Sequence, residues 1–340
     1  MTACMMRHPV HWLRAFSVVL ASFCMVGVAA AQSTPASTDE VIALLKQAQE
    51  AARTTDYAGV FTYQDNGAMQ SSRITHVVDG TGERERLEVL DGKPREFIRH
   101  NDTLYCLIPE KQLVLVEEAR TDRFPGMFLG DTGHLMGHYD FMRDALPSRV
   151  AGRDCTVVHV NPKTPDRYGY KFCVDRETNL LVKAQTVNGL TIVDEIAFTM
   201  LQVGEKVSSE HLHSSWNTGN WKQVEIATHN IDASQLGWRI HTPPGFQFAT
   251  QISRPMKSGE AVKHLVLSDG LAAISVFIEP FEAARTTRSL SKGARKNGAI
   301  NVFATRIGDY WLTALGAVPV ATLQAVAEQT QFIAPAGGQQ

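Results

Sequence analysis

The chain is poor in signatures of catalysis. Its 340 residues contain no G-x-S-x-G nucleophile elbow, no P-loop glycine-lysine run and no dinucleotide G-x-G-x-x-G, so the usual local marks of a serine hydrolase, a nucleotidase and a nicotinamide enzyme are missing. His134-Leu135-Met136-Gly137-His138 has the spacing of two ligands on one helical turn, but Leu135 stands where H-E-x-x-H carries its glutamate. Glycines flank the pair, and packing or solvation is the plainer role. Neighbouring carboxylates such as Asp194 and Glu195, or Glu117 and Glu118, point to opposite faces of a strand and cannot act together. No metal, no cofactor and no enzymatic activity are expected.

An excess of positive charge is lacking too, with 33 lysines and arginines against 35 aspartates and glutamates. Long apolar runs are confined to the start, where Ala15 to Val28 follows Arg7 and Arg14 and leads to Ala29-Ala30-Ala31 before Gln32. At 14 residues this run is shorter than the roughly 20 a spanning helix needs. It fits a cleaved secretory signal peptide over residues 1–31. Cys24 lies inside the run behind Phe23, where a lipoprotein would carry a small residue. Without residues 1–31 the balance is 31 basic to 35 acidic residues, which argues against bulk nucleic-acid binding. Direct membrane insertion of the mature chain is not expected.

What is present is patterned. Ser37 and Glu40 have capping-box spacing, and Val41, Leu44, Leu45, Ala48 and Ala52 follow at helical intervals. Alternating runs then succeed one another: Tyr57 to Tyr63, Gln70 to Val78, Arg84 to Leu90, Glu96 to His100, Thr103 to Ile108 and Gln112 to Val116. Turn residues such as Asp65-Asn66-Gly67, Asp91-Gly92 and Asn101-Asp102 separate them, so an antiparallel meander is expected. Tyr168, Tyr170, Phe172 and Val174 alternate with polar neighbours, as do Leu180, Val182 and Ala184, giving a sheet with one apolar face. With a strand from Thr191 to Val203, residues 32–203 read as one domain. The Ser-, Asn- and Gly-rich residues 204–233 read as a linker. Residues 234–334 read as a small α+β domain, with strands near 261–268, 272–279, 299–307 and 310–316 and a helix from Val320 to Phe332.

Three features could carry function. The segment 123–146 neither alternates nor turns sharply, and its Phe124, Met127, Phe128, Leu135 and Met136 suit either a soft lid over an apolar cavity or a buried plug. Arg285, Arg288, Lys292, Arg295 and Lys296 fall at spacings that, on a helix, put cations on one side for an anionic ligand or partner, or simply toward solvent. Of the three cysteines beyond residue 31, Cys155 and Cys173 are candidates for a bridge. A hairpin centred on Thr164 would set Val158 against Tyr170, Val160 against Tyr168 and Cys155 against Cys173, with both thiols on the polar face; two independent thiols are the alternative.

The whole mature chain resembles the RseB/MucB family of periplasmic sigma-E regulatory proteins. The resemblance rests on Tyr57 to Tyr63 after the first helix, Tyr139-Asp140-Phe141, Cys155 with Val157-Val158, Arg167-Tyr168-Gly169-Tyr170 and Asp175-Arg176-Glu177-Thr178. In the second unit it rests on Pro244-Gly245-Phe246, Ser268-Asp269-Gly270-Leu271 and the end from Pro319 to Phe332. No one motif is diagnostic, but their order and spacing across two domains are specific. Cys173 departs from the pattern, which carries tryptophan there, so the bridge has no support from the family.

The resemblance implies an α+β protein with an N-terminal LolA-like half-open antiparallel β-barrel and a smaller C-terminal domain. It implies a partner, the periplasmic domain of a membrane anti-sigma factor of the RseA or MucA type, shielded from site-1 proteolysis until lipopolysaccharide or lipoprotein acyl chains release it. The apolar sheet face at Tyr168, Tyr170, Phe172, Leu180 and Val182 would line a lipid cavity, covered by the segment from Phe124 through Met127, Phe128, Leu135 and Met136. A lipid carrier would use the same cavity, whereas the second domain favours a regulator; assembly with itself is compatible with either.

Overall fold

A computed structural model of the chain describes residues 37–65, 67–118, 124, 132–205, 207–255, 261–281, 292–297 and 299–334. The expected signal peptide lies outside them. Helix α1 (Thr38–Thr54) starts where the sequence places it: Ser37 Oγ accepts from the Glu40 amide at 3.2 Å, and the Glu40 carboxylate accepts from the Ser37 amide at 3.3 Å. That reciprocal cap satisfies two of the amides a helix start leaves over.

After α1 come β1 (Tyr57–Asp65), β2 (Ala68–Asp79), β3 (Gly82–Val89), β4 (Arg95–His100), β5 (Thr103–Ile108) and β6 (Leu113–Glu118). A second run follows: β7 (Tyr139–Arg143), β8 (Ser148–Val150), β9 (Arg153–Pro162), β10 (Gly169–Asp175), β11 (Leu181–Asn188) and β12 (Thr191–Val203). β1 pairs with both β2 and β12, so two meanders run outward from the middle of one large sheet. Its ends are β7 on one side and, on the other, β13 (Lys222–Glu225), which lies parallel to β6. These ends do not pair with each other among the described residues, and the sheet stays open. The apolar side of α1 (Val41, Ile42, Leu45, Ala48, Ala51 and Ala52) closes a core with Phe61, Tyr170, Phe172, Val174, Leu180 and Val182.

The smaller unit contains β14 (His229–Asn230), β15 (Trp238–Arg239), β16 (Gln247–Pro255), β17 (Ala261–Ser268), β18 (Ala273–Pro280), β19 (Gly293–Asn297), β20 (Ile300–Ile307), β21 (Tyr310–Gly316), α2 (Val320–Gln329) and β22 (Gln331–Phe332). Its sheet runs β14-β16-β17-β18-β21-β20-β19, and α2 buries Leu323, Val326 and Ala327 in one core with Leu265, Ile274, Val276 and Leu312. The architecture is thus α+β, a large open sheet with its helix followed by a smaller sheet and helix.

Four details differ from the sequence reading. Helix α2 ends at Gln329 rather than Phe332, because Thr330 turns extended, bonds its hydroxyl to the Val326 carbonyl, and lets Phe332 reach the Trp238 ring at 4.8 Å. The stretch expected as a linker gives β13 to one sheet and β14 to the other. Segment 139–143, which hides its alternation, is the edge strand β7. In the β9–β10 hairpin Val160 faces Tyr170 and Val158 faces Phe172, two residues from the expected register. A slip of two keeps every side chain on its own face, so the apolar face survives while Cys155 meets Asp175 and Cys173 meets Val157.

The bridge between Cys155 and Cys173 nevertheless forms, diagonally, with Cα atoms 5.4 Å apart. Both cysteines are buried, although they lie on the expected outer face, where Cys173 neighbours Lys183. The β8–β9 hairpin folds over them, with Val150 and Ala151 packed against the core.

Leu45, without exposed surface, sits where α1 meets the sheet. Leu45→Ala is expected to lower stability by about 3 kcal/mol, and Lys46→Ala on the outer side of the helix by less than about 0.5 kcal/mol, read from urea unfolding midpoints.

Candidate functional site

The positions proposed to line a lipid cavity mostly meet, but as packed core. Phe172 is 1% exposed, and Leu135, Leu180 and Val182 are 0% exposed. The Phe124 ring lies 5.3 Å from Phe61 and 5.0 Å from Phe198. Tyr170 stacks on Phe172 at 5.6 Å. Helix α1 fills the face that the alternation left bare. Met136 is exposed and outside this cluster. Tyr168 faces away from it: its hydroxyl accepts from Asn301 Nδ2 of the smaller sheet at 3.1 Å. Met127 and Phe128 lie outside the described residues.

A different apolar surface runs across the side of the meander that faces the α1 core. Ile74, Leu87, Phe97, Cys106 and Leu115 stand opposite one another in a single row from β2 to β6. Ile74 is buried, and the other four are half-buried. Leu87 joins the row to the α1 core. Each strand's alternation contains one of these residues, but only the register brings them into line.

Beside this row His76 is enclosed between α1 and β3. Its ring stacks on Tyr57 at 4.7 Å, Nδ1 lies 2.9 Å from the Thr55 carbonyl, and Nε2 lies 3.3 Å from Glu83 Oε1. The second contact is an ion-pair distance with a poor angle for a hydrogen bond. Burial alone would depress the imidazole pKa, but the Glu83 carboxylate, the Thr55 carbonyl and nearby Glu85 outweigh it and hold the value above the ordinary one. The Thr55 carbonyl at Nδ1 and the negative charge of Glu83 near Nε2 both favour the protonated ring.

The most heavily built polar arrangement joins the two sheets. The turn between β9 and β10 presents Asp166, Arg167 and Tyr168 to the smaller unit. Arg167 Nη1 donates to Asp269 Oδ2 at 2.7 Å, Nη2 donates to the Pro244 carbonyl, and Nε donates to Asp166 at 3.2 Å. Tyr139 Oη donates to the same Asp269 oxygen at 2.8 Å, while Asp269 Oδ1 caps the Leu271 and Ala272 amides. Aromatic rings of Tyr139 and Phe246 lie 5.5 and 5.2 Å from the guanidinium carbon. Both charged side chains are 0% exposed. Thr322 of α2 adds a 2.7 Å bond to the Asp166 carbonyl. At the opposite end of the large sheet, Arg254 of β16 pairs with Glu117 of β6, both partly exposed.

The opposite face of the meander, that of Arg86 and Glu96, carries residues 208–221. Leu212 is buried there, Ser215 Oγ donates to Glu96 at 2.7 Å, and Arg86 binds both Glu96 and the His211 carbonyl. His211 is therefore held by its backbone.

The basic cluster does not form one helical side. Lys292 precedes β19, and Arg295 and Lys296 are neighbours on that edge strand, so their side chains diverge. Arg285 and Arg288 lie outside the described residues. The segment's glycines and its pairing with β20 override the helical spacing. Among the described residues no group of three or more His, Cys, Asp or Glu could hold a metal ion, and no helix is long and apolar enough to cross a membrane.

An open sheet with one helix, joined by a buried polar contact to a smaller sheet and helix, defines the class: a two-part α+β protein whose built features are apolar surfaces and an inter-sheet joint. Residues 40–216 match the model of the MucB/RseB N-terminal domain, and residues 232–331 that of the MucB/RseB C-terminal domain. The chain belongs to the MucB/RseB family. It is 29% identical over 319 residues to the sigma factor AlgU regulatory protein MucB of Pseudomonas aeruginosa, covering 93% of this chain and 96% of that protein. It is 24% identical over 325 residues to the sigma-E factor regulatory protein RseB of Escherichia coli K12, covering 93% and 97%. Among solved structures it is similar to the MucA/MucB complex of Pseudomonas aeruginosa, with a TM-score of 0.67, 26% identity, and 87% of this chain and 99% of that chain covered. A crystal structure of MucB in complex with MucA(peri) gives a TM-score of 0.65 at 27% identity, covering 86% and 98%.

Breaking the buried joint and the exposed pair should differ in cost. Asp269→Asn or Arg167→Met is expected to destabilise by about 3–5 kcal/mol, because the remaining charge is left buried without its partner. Glu117→Gln or Arg254→Gln should cost no more than about 1 kcal/mol. Thermal unfolding of the four variants checks this.

The His76 contribution should depend on pH in a defined direction. A raised folded pKa means stability that is complete below the unfolded value of about 6.5 and lost as pH rises through the folded value. His76→Gln should therefore be more destabilising at pH 5.5 than at pH 9, measured by denaturant midpoints of both proteins.

Proposed function

We propose that this chain is a periplasmic negative regulator of sigma-E-type envelope stress signalling. In this reading it binds the periplasmic part of a membrane anti-sigma factor of the MucA or RseA type and shields it from site-1 proteolysis. An envelope lipid, lipopolysaccharide or a mislocalised lipoprotein, then releases it. The observation that carries the reading is the match to MucB in its complex with MucA, which runs through both parts of the chain rather than one. The names of the curated relatives describe regulation of sigma factors and no reaction, which favours a binding protein over an enzyme.

For the lipid signal we assign the row of Leu87, Phe97, Cys106 and Leu115 as the entry surface, because it is apolar, half-buried and joined through Leu87 to the core that contains Phe124. An acyl chain gains about 0.8 kcal/mol for each methylene it buries, so a long chain can displace Phe124, Leu135 or a bound peptide segment. A ligand without that differential gain could not switch the complex.

The test is digestion of the anti-sigma factor's periplasmic domain by its site-1 protease with and without this protein. Slower cleavage that lipopolysaccharide restores is the expected result. Leu115→Asp should keep the protection while needing at least tenfold more lipopolysaccharide for release. Unchanged cleavage, with folded protein in excess, overturns the regulator and leaves a lipid carrier.

A further inference from the structure

Bridged cysteines in a secreted domain usually act as a passive staple, but three features of this pair point further. First, the ladder does not need it. Cys155 faces Asp175 and Cys173 faces Val157, and the strand pairing of β9 with β10 runs through both positions. The hairpin can therefore exist with the bond open or closed.

Second, the two sulfurs are not equivalent. Cys155 has no exposed surface, whereas Cys173 keeps a little and lines an outer cleft of about 290 Å3 with Leu146, Pro147, Val150, Lys171 and Lys183. Lys183 is the cross-strand neighbour of Cys173. Its ammonium is paired with Glu195.

Third, the loop closed by the bond contains the joint. Asp166, Arg167 and Tyr168 all lie between Cys155 and Cys173, 18 residues apart in sequence.

We propose that Cys155–Cys173 is a thiol–disulfide exchange site, entered at Cys173 through this cleft, by which the redox state of the surroundings sets the order of the hairpin that joins the two sheets. A thiolate of a dithiol reductant attacks Cys173 Sγ. The new sulfur–sulfur bond forms as the old one breaks, and its electron pair leaves on Cys155 Sγ, which takes up a proton. The second thiolate of the reductant then closes its own disulfide and releases Cys173 as a thiol. Two electrons pass from the dithiol to the protein. Oxidation runs the same steps backwards with a disulfide oxidant, again with Cys173 in the mixed disulfide and Cys155 resolving it. The compartment is the one proposed above, but the exchange and its structural effect stand apart from any partner.

The test reads chemistry and structure without the anti-sigma factor. Folded Cys155→Ser and Cys173→Ser proteins are held in oxidised glutathione, and the adducts are located by peptide mapping, which separates them from any on Cys106. Cys173 in the first variant is expected to be modified at least tenfold faster than Cys155 in the second. In parallel, the unsubstituted protein is compared with its bond intact and after reduction by dithiothreitol under native conditions. Amide exchange over residues 163–168 is expected to speed up at least tenfold on reduction while β1 and β2 are unchanged. Equal rates at the two sulfurs, or reduction only at the rate of global unfolding, overturns the entry site. Unaltered exchange over 163–168 in reduced protein overturns the coupling, and this arm also decides the matter if a serine variant fails to fold.

Discussion

One guanidinium fixes how the two halves of the molecule are used. Arg167 is removed from water between the sheets and spends its donors on Asp269, Asp166 and the Pro244 carbonyl, while Tyr139 supplies a further bond to Asp269. Taking two charges out of water is expensive, and it is tolerated only when every lone pair and proton finds a partner. Any other placement of the smaller sheet would leave Arg167 or Asp269 buried and alone. Its return is therefore in specificity more than in net stability: the two sheets meet in one register. Arg254 and Glu117 at the other end of the large sheet remain partly in solvent, and a pair of that kind trims an orientation without imposing it.

From that constraint follows a division among the faces of the large sheet. On one side α1 shares a core with β10 and β11, so their apolar face is taken up by packing. One face of the meander is committed to the chain's own residues 208–221, through Leu212 and the contacts of Glu96 with Arg86 and Ser215. On its other face the row at Leu87, Phe97 and Leu115 is half-buried and apolar. A fully packed core resists a ligand because every contact must be broken first. A half-buried row still has surface to remove from water. In the function proposed above, that is the reason for assigning the apolar signal to the half-buried row rather than to the deepest surface.

Much of this was legible before any coordinates. The S-x-x-E cap, the helical spacing behind it and the alternating runs between Asp-, Asn- and Gly-rich turns give α1 and β1 to β6 to within a few residues, because caps, turns and pleat are properties of neighbouring residues. The motif order that pointed to the MucB/RseB family is equally a property of the chain. Asp175 to Thr178, one of those motifs, proves to be a turn in which Asp175 accepts from Arg153 and Thr178, a local role that its composition suggests.

What the sequence by itself determined is therefore α1, the strands of the meander and of the hairpin, their apolar faces and the family; what only the tertiary structure decided is the remaining strands, such as β7, β13 and β19, and which face meets which. Alternation cannot tell a register from one two residues away, since both keep the same side chains inward, and the β9–β10 pairing settled differently from the expected one. It cannot say that α1 covers Phe172 and Val182, that Tyr168 turns to Asn301, or that Arg295 and Lys296 diverge on a strand where spacing suggested a helix. Nor can it bring Arg167 to Asp269, 102 positions away. Such contacts are set by the fit of whole sheets and by the cost of leaving a charge unpaired, and those terms exist only once distant parts of the chain have come together.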